Sequence, residues 1–191
     1  MAISAGRVTA VLLAAGRGER FGGDKLAAPF RGRPLGEHAA AMLGAFPFAA
    51  HIAVTGPSAL DLAAFGFDCR RAPPDAPMSV SLQLGIAAAA QTECDACLVA
   101  LADMPLVPAA HLAALLAAHD GALTATLSDG TRMVPALIAR SAFPSIAALT
   151  GDQGARALLR AAPGVVAPPA WLVDIDTPGD IARSNVQPGG R

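Results

Sequence analysis

The sequence has few cysteines, few charges and no long apolar run, and each shortage excludes a class of protein. Three cysteines in 191 residues are too few, and odd in number, for a disulfide framework. Charged residues make up 15% of the chain with a net charge of −1, and the basic residues are scattered, which argues against a nucleic-acid-binding face. No apolar run reaches the roughly 18 residues of a membrane-spanning helix, so we expect no membrane segment.

The N-terminal residues also lack a secretory pattern. Residues 1–8 contain no charged region followed by an apolar stretch. Cys94 and Cys97 form a C-x-x-C, which suits a redox pair or half of a zinc site, but no further ligands follow at matched spacing. Cys97 opens an apolar strand, where a free thiol behaves as a small hydrophobe. We therefore expect a reduced, cytoplasmic protein with a single domain over residues 1–191 and a flexible tail at 187–191.

Strand-like apolar runs alternate with helix-like segments, and this pattern predicts an α/β domain with a mostly parallel sheet. The predicted strands are Val8–Leu13, Ile52–Thr55, Phe67–Arg70, Cys97–Leu101, Met133–Ala139 and Trp171–Ile175. The predicted helices are Pro34–Phe46, Ala59–Phe65, Leu82–Ala90, Pro108–Ala118, Ala155–Ala161 and a last one beginning at Pro178. There is no internal repeat.

A glycine-rich loop follows the first predicted strand, within residues 12–25, LLAAGRGERFGGDK. Its glycines and cations are Gly16, Gly18, Gly22, Gly23, Arg17, Arg20 and Lys25. Glycines directly after a buried strand let backbone N–H groups approach a ligand, and the interleaved cations make that ligand anionic. We predict a polyphosphate-binding loop at the carboxyl end of the first strand.

Two common phosphate-binding motifs do not describe this loop. The P-loop requires a glycine followed directly by Lys and then Ser or Thr, but here Asp24 precedes Lys25 and a leucine follows it. The dinucleotide fingerprint has Phe21 where its third glycine or alanine should be. The loop therefore belongs to another class of phosphate site.

Acidic residues stand at the ends of two further predicted strands. Asp103 follows Leu101, and Asp174 and Asp176 lie at the end of Trp171–Ile175. Because ligands of an open parallel sheet bind beyond the carboxyl ends of the strands, these carboxylates should lie near the glycine-rich loop. Carboxylate oxygens beside a triphosphate suit Mg²⁺, so we predict a metal site of Asp103 and Asp176, with Asp174 as the alternative ligand. The competing interpretation is that these residues only cap a turn and a helix.

Together, these segments resemble the MobA-like nucleotidyltransferases. The glycine-rich loop is similar to that family's L-A-[AG]-G, followed by Arg, a glycine pair and Lys. Four further segments agree in the expected order. Pro77–Ile86 resembles M-S-x-S-L-x-x-G, and Leu101–Pro105 resembles L-x-D-x-P. Thr150–Arg156 is similar to the G-D-x-G-A-R of the molybdenum cofactor cytidylyltransferase branch, and Asp174–Pro178 matches D-I-D-T-P.

The resemblance implies a Rossmann-like nucleotidyltransferase fold, a three-layer α/β/α domain with a mostly parallel sheet. The implied reaction is Mg²⁺-dependent transfer of a nucleotidyl group from CTP or GTP to the phosphate of molybdopterin cofactor, with release of pyrophosphate. Lys25 and Arg20 would be catalytic. The implied nucleotide-binding residues are Leu13, Ala14, Ala15, Gly16, Arg17, Gly18, Lys25, Ser81 and Asp103. Ala14, Ala15 and Ser81 would line the base pocket, and docking to a molybdoenzyme stays open.

The choice of nucleotide depends on one methyl group. The guanylyl branch usually has L-A-G-G, whereas this chain has Leu13-Ala14-Ala15-Gly16, as in the cytidylyl branch. The Ala15 methyl narrows the pocket and favours the smaller pyrimidine, although one such group discriminates by only about 1–3 kcal/mol. We therefore expect CTP, with GTP as the alternative.

One segment departs from the cytidylyl pattern, which usually carries G-x-x-G-H-P. Residues 129–135 have Met133-Val134 where Gly-His is expected. Because this region should face the acceptor, the acceptor is either molybdopterin cofactor or another phosphorylated small molecule. A molybdopterin-nucleotide carrier without turnover would not need the metal and triphosphate residues. A flavin- or nicotinamide-linked reductase on the same fold is disfavoured by Phe21.

Overall fold

A computed structural model of the chain describes residues 2–16, 18–149 and 156–186. The strands are β1 (Val8–Ala14), β2 (Pro29–Phe30), β3 (Arg33–Pro34), β4 (Ala50–Thr55), β5 (Asp68–Arg71), β6 (Ala96–Leu101), β7 (Leu123–Ser128), β8 (Thr131–Ala139) and β9 (Gly164–Val166). The helices are α1 (Leu35–Gly44), α2 (Met78–Ala89), α3 (Ala109–Ala118), α4 (Phe143–Ala147), α5 (Arg156–Leu159) and α6 (Pro178–Val186). None of the helices in these ranges has the length and apolar character needed to cross a membrane.

Seven strands form one sheet in the order β5-β4-β1-β6-β8-β7-β9, and β2 and β3 form a separate small hairpin. β8 is antiparallel to both of its neighbours, and every other neighbouring pair in the large sheet is parallel. The carboxyl ends of β1, β4, β6 and β7 therefore lie along the same edge. The predicted mostly parallel sheet is confirmed.

Helices cover both faces of the sheet. Every residue of β1 is buried, as expected for a central parallel strand. Alternate side chains of a strand point to opposite faces, and in β1 they enter two separate apolar clusters. Val8, Ala10, Leu12 and Ala14 pack with residues of α1 and α3, and Val11 and Leu13 pack with residues of α2 and α4. The three layers follow from this alternation.

Helix α2 lies close against the sheet because residue 85 is glycine. A Cβ atom at Gly85 would lie 2.5 Å from Cγ1 of Val11 and 3.3 Å from Cγ2 of Val54. Both distances are too short for an unstrained contact, so any larger residue would push α2 outward. The helix begins at Met78, before the predicted Leu82, and so includes Ser81 in its first turns.

Two predicted elements are wrong. Ala59–Phe65 was expected to be a helix, but only a 3₁₀ turn forms, at Ala63–Phe65. The backbone N–H of Ala59 instead binds the side chain of Asp24 at 2.7 Å. Trp171–Ile175 was expected to end the sheet, but Pro169–Trp171 is a 3₁₀ turn and the residues after it have no regular structure. Consecutive prolines just before this stretch remove the backbone donors that a sheet strand needs.

Strand β7 was not predicted, although its turn carries a recognisable signal. Asp129 and Gly130 join β7 to β8 with φ angles of 46° and 73°. Two-residue hairpin turns of type I′ require positive φ at both positions, and Asp-Gly is a favoured pair for them. This hairpin places β8 antiparallel in an otherwise parallel sheet.

Some predictions fall on residues outside the described ranges. These are the phosphate-binding role of Arg17, the start of the helix predicted at Ala155, most of the Thr150–Arg156 segment, and the tail at 187–191.

Candidate active site

A cavity of about 550 Å³ opens beyond the carboxyl ends of β1 and β6. The residues that line it are Leu13, Ala15, Gly16, Gly18, Glu19, Arg20, Lys25, Ala76, Pro77, Met78, Ser81, Leu101, Asp103, Asp174 and Asp176. Most residues proposed from the sequence thus meet around one space. Ala14, which was predicted to line the base pocket, is not among the residues that line the cavity. Its side chain is buried in the apolar cluster beneath α1 and α3.

Lys25 is the buried cation at the centre of the site. Its side chain is only 6% exposed, and Nζ donates to Oδ2 of Asp103 at 2.7 Å and to Oδ1 of Asp176 at 3.2 Å. Burial by itself would lower the pKa of Lys25, but the negative charge and hydrogen bond of Asp103 outweigh it, so the pKa is raised. Lys25 is therefore fully charged at neutral pH.

The glycine-rich loop folds back tightly onto Lys25. Gly18 has φ of 60°, and a Cβ atom there would lie 3.1 Å from the carbonyl oxygen of Gly23 and 3.2 Å from Cβ of Lys25. The backbone N–H of Phe21 donates to the carbonyl of Gly18 at 2.8 Å and closes the turn. Only glycine satisfies both the positive φ and the close approach at position 18.

Asp24 ties this loop to the segment after β4. Its carboxylate accepts hydrogen bonds from Ser58 Oγ at 2.7 Å, from the N–H of Ala59 at 2.7 Å and from the N–H of Ala27 at 3.2 Å. Partial burial would raise the pKa of Asp24, but these hydrogen bonds lower it overall. Asp24 was not predicted as a site residue, although an aspartate just before a turn commonly accepts such backbone bonds.

Three carboxylates converge beside Lys25. Asp103, Asp174 and Asp176 each offer an oxygen, and these oxygens lie within 4.8 Å of one another. The N–H of Ile175 donates to the carbonyl of Asp103 at 3.0 Å, which joins the two acidic segments through their backbones. Asp174 and Asp176 therefore reach the site on a loop, whereas a strand was predicted for these residues.

The donor set of this acidic cluster fits a divalent cation. Oδ1 of Asp103 is buried and has no hydrogen-bond partner among the described residues. A buried unpaired carboxylate oxygen is costly, and the charge of Lys25 alone does not neutralise three aspartates. Mg²⁺ and similar hard cations prefer carboxylate oxygens. Asp103, Asp174 and Asp176 are the residues that would hold one.

The crowding of negative charge changes the titration of Asp174. Loss of solvent around the carboxyl group and the negative charge of Asp103 raise the pKa of Asp174 from 3.8 to about 7, against the opposing effect of Lys25. Two neighbouring carboxylates that cannot both ionise freely behave in this way. At neutral pH, a metal ion bound at this carboxylate would therefore compete with a proton.

Asp176 is held from two sides. Oδ2 of Asp176 pairs with Arg20 at 2.6 Å, while Oδ1 faces Lys25. Its backbone N–H donates to Oδ2 of Asp180 at 3.1 Å, and the same oxygen accepts from the N–H of Thr177 at 2.7 Å. Thr177 Oγ1 accepts in return from the N–H of Asp180 at 3.3 Å, which completes a capping box at the start of α6. The T-x-x-D spacing after Asp176 is typical of such a cap, but this cap was not predicted from the sequence.

Part of the cavity wall is apolar. It consists of Leu13, Leu101, Ala76, Pro77 and Met78, with the hydroxyl-bearing Ser81 beside them on α2. Met78 is 59% exposed, which is high for a large hydrophobic side chain. A cavity lined by both apolar and charged residues suits a ligand with a flat ring at one end and an anionic group at the other.

Comparisons with known proteins agree with this geometry. Residues 10–165 match the MobA-like NTP transferase domain. Rv0371c from Mycobacterium tuberculosis H37Rv is similar in structure, with 23% identity, a TM-score of 0.79, and coverage of 93% of this chain and 97% of that chain. A nucleotidyl transferase from Methanothermobacter is similar with 27% identity, a TM-score of 0.77, and coverage of 92% and 94%. A structure of Rv0371c in complex with manganese matches with 22% identity, a TM-score of 0.74, and coverage of 93% and 97%. No curated protein matches the sequence.

The arrangement of strands and helices is thus the Rossmann-like nucleotidyltransferase fold, as predicted. The chain belongs to the MobA-like NTP transferase family, because the family match spans most of its length. Membership supports a nucleotidyltransferase enzyme with a nucleoside triphosphate substrate.

Proposed function

We propose that this chain transfers CMP from CTP to the phosphate of molybdopterin cofactor and releases pyrophosphate. The observation that carries the proposal is the meeting of buried Lys25 and three aspartates in one cavity whose wall is partly apolar. This set of groups matches the needs of nucleotidyl transfer, in which the protein mainly positions the reactants and stabilises charge.

In the proposed reaction, a phosphate oxygen of the acceptor forms a bond to the α-phosphorus of the nucleotide. The bond from that phosphorus to the α–β bridging oxygen breaks, and its electron pair leaves with pyrophosphate. Lys25 and Arg20 supply positive charge near the triphosphate as negative charge builds up on the leaving group. Gly16 and Gly18 allow the loop backbone to approach the phosphates.

Mg²⁺ is the proposed cofactor, held by Asp103 and Asp176 with Asp174 as a further ligand. The ion would neutralise phosphate charge and orient the triphosphate when bound. The similar Rv0371c has been solved with manganese, which supports a divalent cation in this fold. The chain's own contribution is to hold three carboxylates close together against the charge of Lys25.

The preference for CTP is proposed from Ala15, whose methyl group stands where the guanylyl branch has glycine. Ala15 and Ser81 both line the cavity near its apolar wall. In Ala15→Gly we expect the ratio of kcat/KM for CTP over GTP to fall about tenfold, because a small cavity is opened beside the base. Ala64→Gly, an exposed position on the 3₁₀ turn after β4, serves as the control. An unchanged ratio in Ala15→Gly would show that the base is read elsewhere.

The test of the function is pyrophosphate release with Mg²⁺ and molybdopterin cofactor, comparing CTP, GTP and ATP. Release with CTP alone supports the proposal. Release with GTP instead would place the chain in the guanylyl branch. Binding of nucleotide without release would point to another phosphorylated acceptor or to a carrier of the finished nucleotide, and each of these contradicts the proposal.

A further inference from the structure

A second cavity of about 550 Å³ lies at the same edge of the sheet as the candidate active site. Its described lining residues are Gly130, Thr131, Arg132, Met133 and Arg160. They come from the β7–β8 turn, the start of β8 and the residue after α5. Two of the five are arginines and none is acidic, so the lining attracts anions.

The register of the sheet places the second cavity toward the carboxyl end of β6. β8 runs antiparallel beside β6, with Val99 opposite Ala136. The pairing ends at Val99 and Ala136, so the residues of β8 before Ala136 lie toward the carboxyl end of β6, where Leu101 lines the first cavity. Leu101 and Met133 pack against the same apolar cluster, and Met133 lines the second cavity. A molecule bound across this edge can contact both spaces.

Among the residues that the structure describes, neither arginine of the second cavity has an acidic partner. Arg132 is partly buried, and its Nε donates to the carbonyl of Ala162 at 2.6 Å, which fixes the side chain beside the cavity. Arg160 is exposed. Within the described part of the chain, neither arginine forms an ion pair, in contrast to Arg20, which pairs with Asp176. A guanidinium group with unpaired N–H donors suits phosphate or carboxylate oxygens.

We propose that Arg132 and Arg160 bind a second anionic group of the acceptor, at the end remote from the attacking phosphate. This inference rests on the proposed function, since only a transfer between two substrates needs an acceptor space beside the nucleotide. Lys25 and Arg20 already face the space assigned to the triphosphate. The acceptor is then a phosphomonoester that carries a further negative group, which narrows the class of substrate.

Binding of anions to the second cavity can be measured without turnover. Inorganic phosphate is titrated into the protein while the side-chain Nε–Hε signals of arginine are followed by NMR, with assignments from Arg132→Gln and Arg160→Gln. We expect the Arg160 signal to shift in a saturable way, and the shift to weaken in Arg132→Gln because one of the two cations is lost. The signal of Arg71 is the internal control. Arg71 is exposed on β5, the outermost strand on the side of the sheet away from β7 and β8. The absence of a saturable shift at Arg160 would overturn the proposal.

The assignment to the acceptor is tested by steady-state kinetics. Arg160→Gln should raise the KM for the acceptor about tenfold, the usual loss for one hydrogen bond to a charged group, and leave the KM for the nucleotide unchanged. Arg71→Gln removes the same charge far from the cavity and should change neither value. An equal rise in both KM values, or none, would overturn the assignment even if phosphate binds.

Failure of the proposed function gives a different result from failure of this inference. If no nucleotide supports pyrophosphate release in the unmodified protein, the proposed function is wrong, and the acceptor role of Arg132 and Arg160 falls with it. The NMR titration then still decides whether the cavity binds anions. If pyrophosphate is released but Arg160→Gln behaves like Arg71→Gln, the function stands and the inference is wrong.

Discussion

Lys25 illustrates how one side chain can serve both stability and chemistry. Its ammonium group lies within hydrogen-bond distance of Asp103 and Asp176, and its stem packs against the turn at Gly18. Without Lys25, three aspartates would face one another without a buried countercharge. Lys25 is therefore needed both for the proposed reaction and to balance the charge of the three aspartates before substrate binds.

This dual role predicts a metal-dependent stability defect. In Lys25→Met, which keeps the apolar stem, we expect kcat to fall about a hundredfold or more because charge stabilisation at the leaving group is lost. The free energy of unfolding in chelator should fall by about 2 kcal/mol, less than for a fully enclosed ion pair because the carboxylates face an open cavity. Saturating Mg²⁺ should restore most of that loss. Denaturant unfolding with and without Mg²⁺ measures both effects.

Arg20→Gln is the matched control, because Arg20 contacts the same Asp176 from a side chain that is 75% exposed. Its stability should stay within about 0.5 kcal/mol of the unmodified chain, as for most surface ion pairs. A stability loss in Lys25→Met that Mg²⁺ does not reverse would show that Lys25 supports the fold independently of the acidic cluster.

Asp174 predicts a pH dependence of stability in the metal-free protein. Its pKa is raised from 3.8 to about 7, so the folded chain binds this proton more tightly than the unfolded chain does. The contribution of Asp174 to the free energy of unfolding should therefore decrease as the pH rises from about 4 to about 7, and level off above that range. In Asp174→Asn this decrease should disappear. Unfolding curves in chelator at several pH values measure it, and identical profiles for the two proteins would contradict the prediction.

At the scale of elements, the start of α6 determines where Asp176 lies. Asp180 accepts hydrogen bonds from the backbone N–H groups of Asp176 and Thr177, and Arg183 pairs with its other oxygen. The carboxylate also accepts a hydrogen bond from Thr177 Oγ1 at 2.7 Å. Together these bonds lower the pKa of Asp180, and the bond from Thr177 Oγ1 has the largest effect. The helix cap and the position of a candidate metal ligand thus depend on one carboxylate.

Replacing Asp180 tests this dependence. Asp180→Ala should lower the free energy of unfolding by about 1 kcal/mol, the usual loss for a removed cap, and should also raise the Mg²⁺ concentration needed for nucleotide binding. Asp180→Glu, which retains a carboxylate at the capping-box position, should recover both properties in part. Titration of Mg²⁺ at fixed nucleotide separates the two effects. Lost stability with an unchanged Mg²⁺ requirement would limit Asp180 to the helix.

At the scale of the whole molecule, the one seven-stranded sheet argues for one cooperative unit. Two apolar clusters share the same strands, and β1 contributes side chains to both of them. The active-site cavity takes residues from β1, from α2 and from the segment before α6, so that its walls come from distant parts of the chain. The site should therefore be lost when the sheet unfolds.

We accordingly predict a single unfolding transition. Trp171 is the one tryptophan of the sequence and lies beside His111 of α3, with ring centroids 6.1 Å apart. Its fluorescence and the far-ultraviolet circular dichroism should change together with denaturant, as in a two-state single domain. Two separated transitions would show that the region around Trp171 unfolds as an independent unit, which contradicts a single domain.

The sequence alone determined the elements whose signals are local. A buried apolar run, four glycines and a lysine within one short segment predicted the strand and loop that surround Lys25. Asp103 after an apolar strand and the D-I-D-T-P segment predicted the acidic residues of the site. Such patterns depend on neighbouring residues, because backbone propensity, turn chemistry and burial on one face act over only a few positions.

The tertiary structure decided how these segments meet. No local pattern shows that β8 lies between β6 and β7, or that the second cavity lies at the same edge of the sheet as the first. Asp174 and Asp176 reach the site on a loop, held by the hydrogen bond from Ile175 to Asp103, and not on the predicted strand. Pairing between distant segments depends on packing and hydrogen bonds that the whole chain must satisfy at once, and that physical condition is absent from any short stretch of sequence.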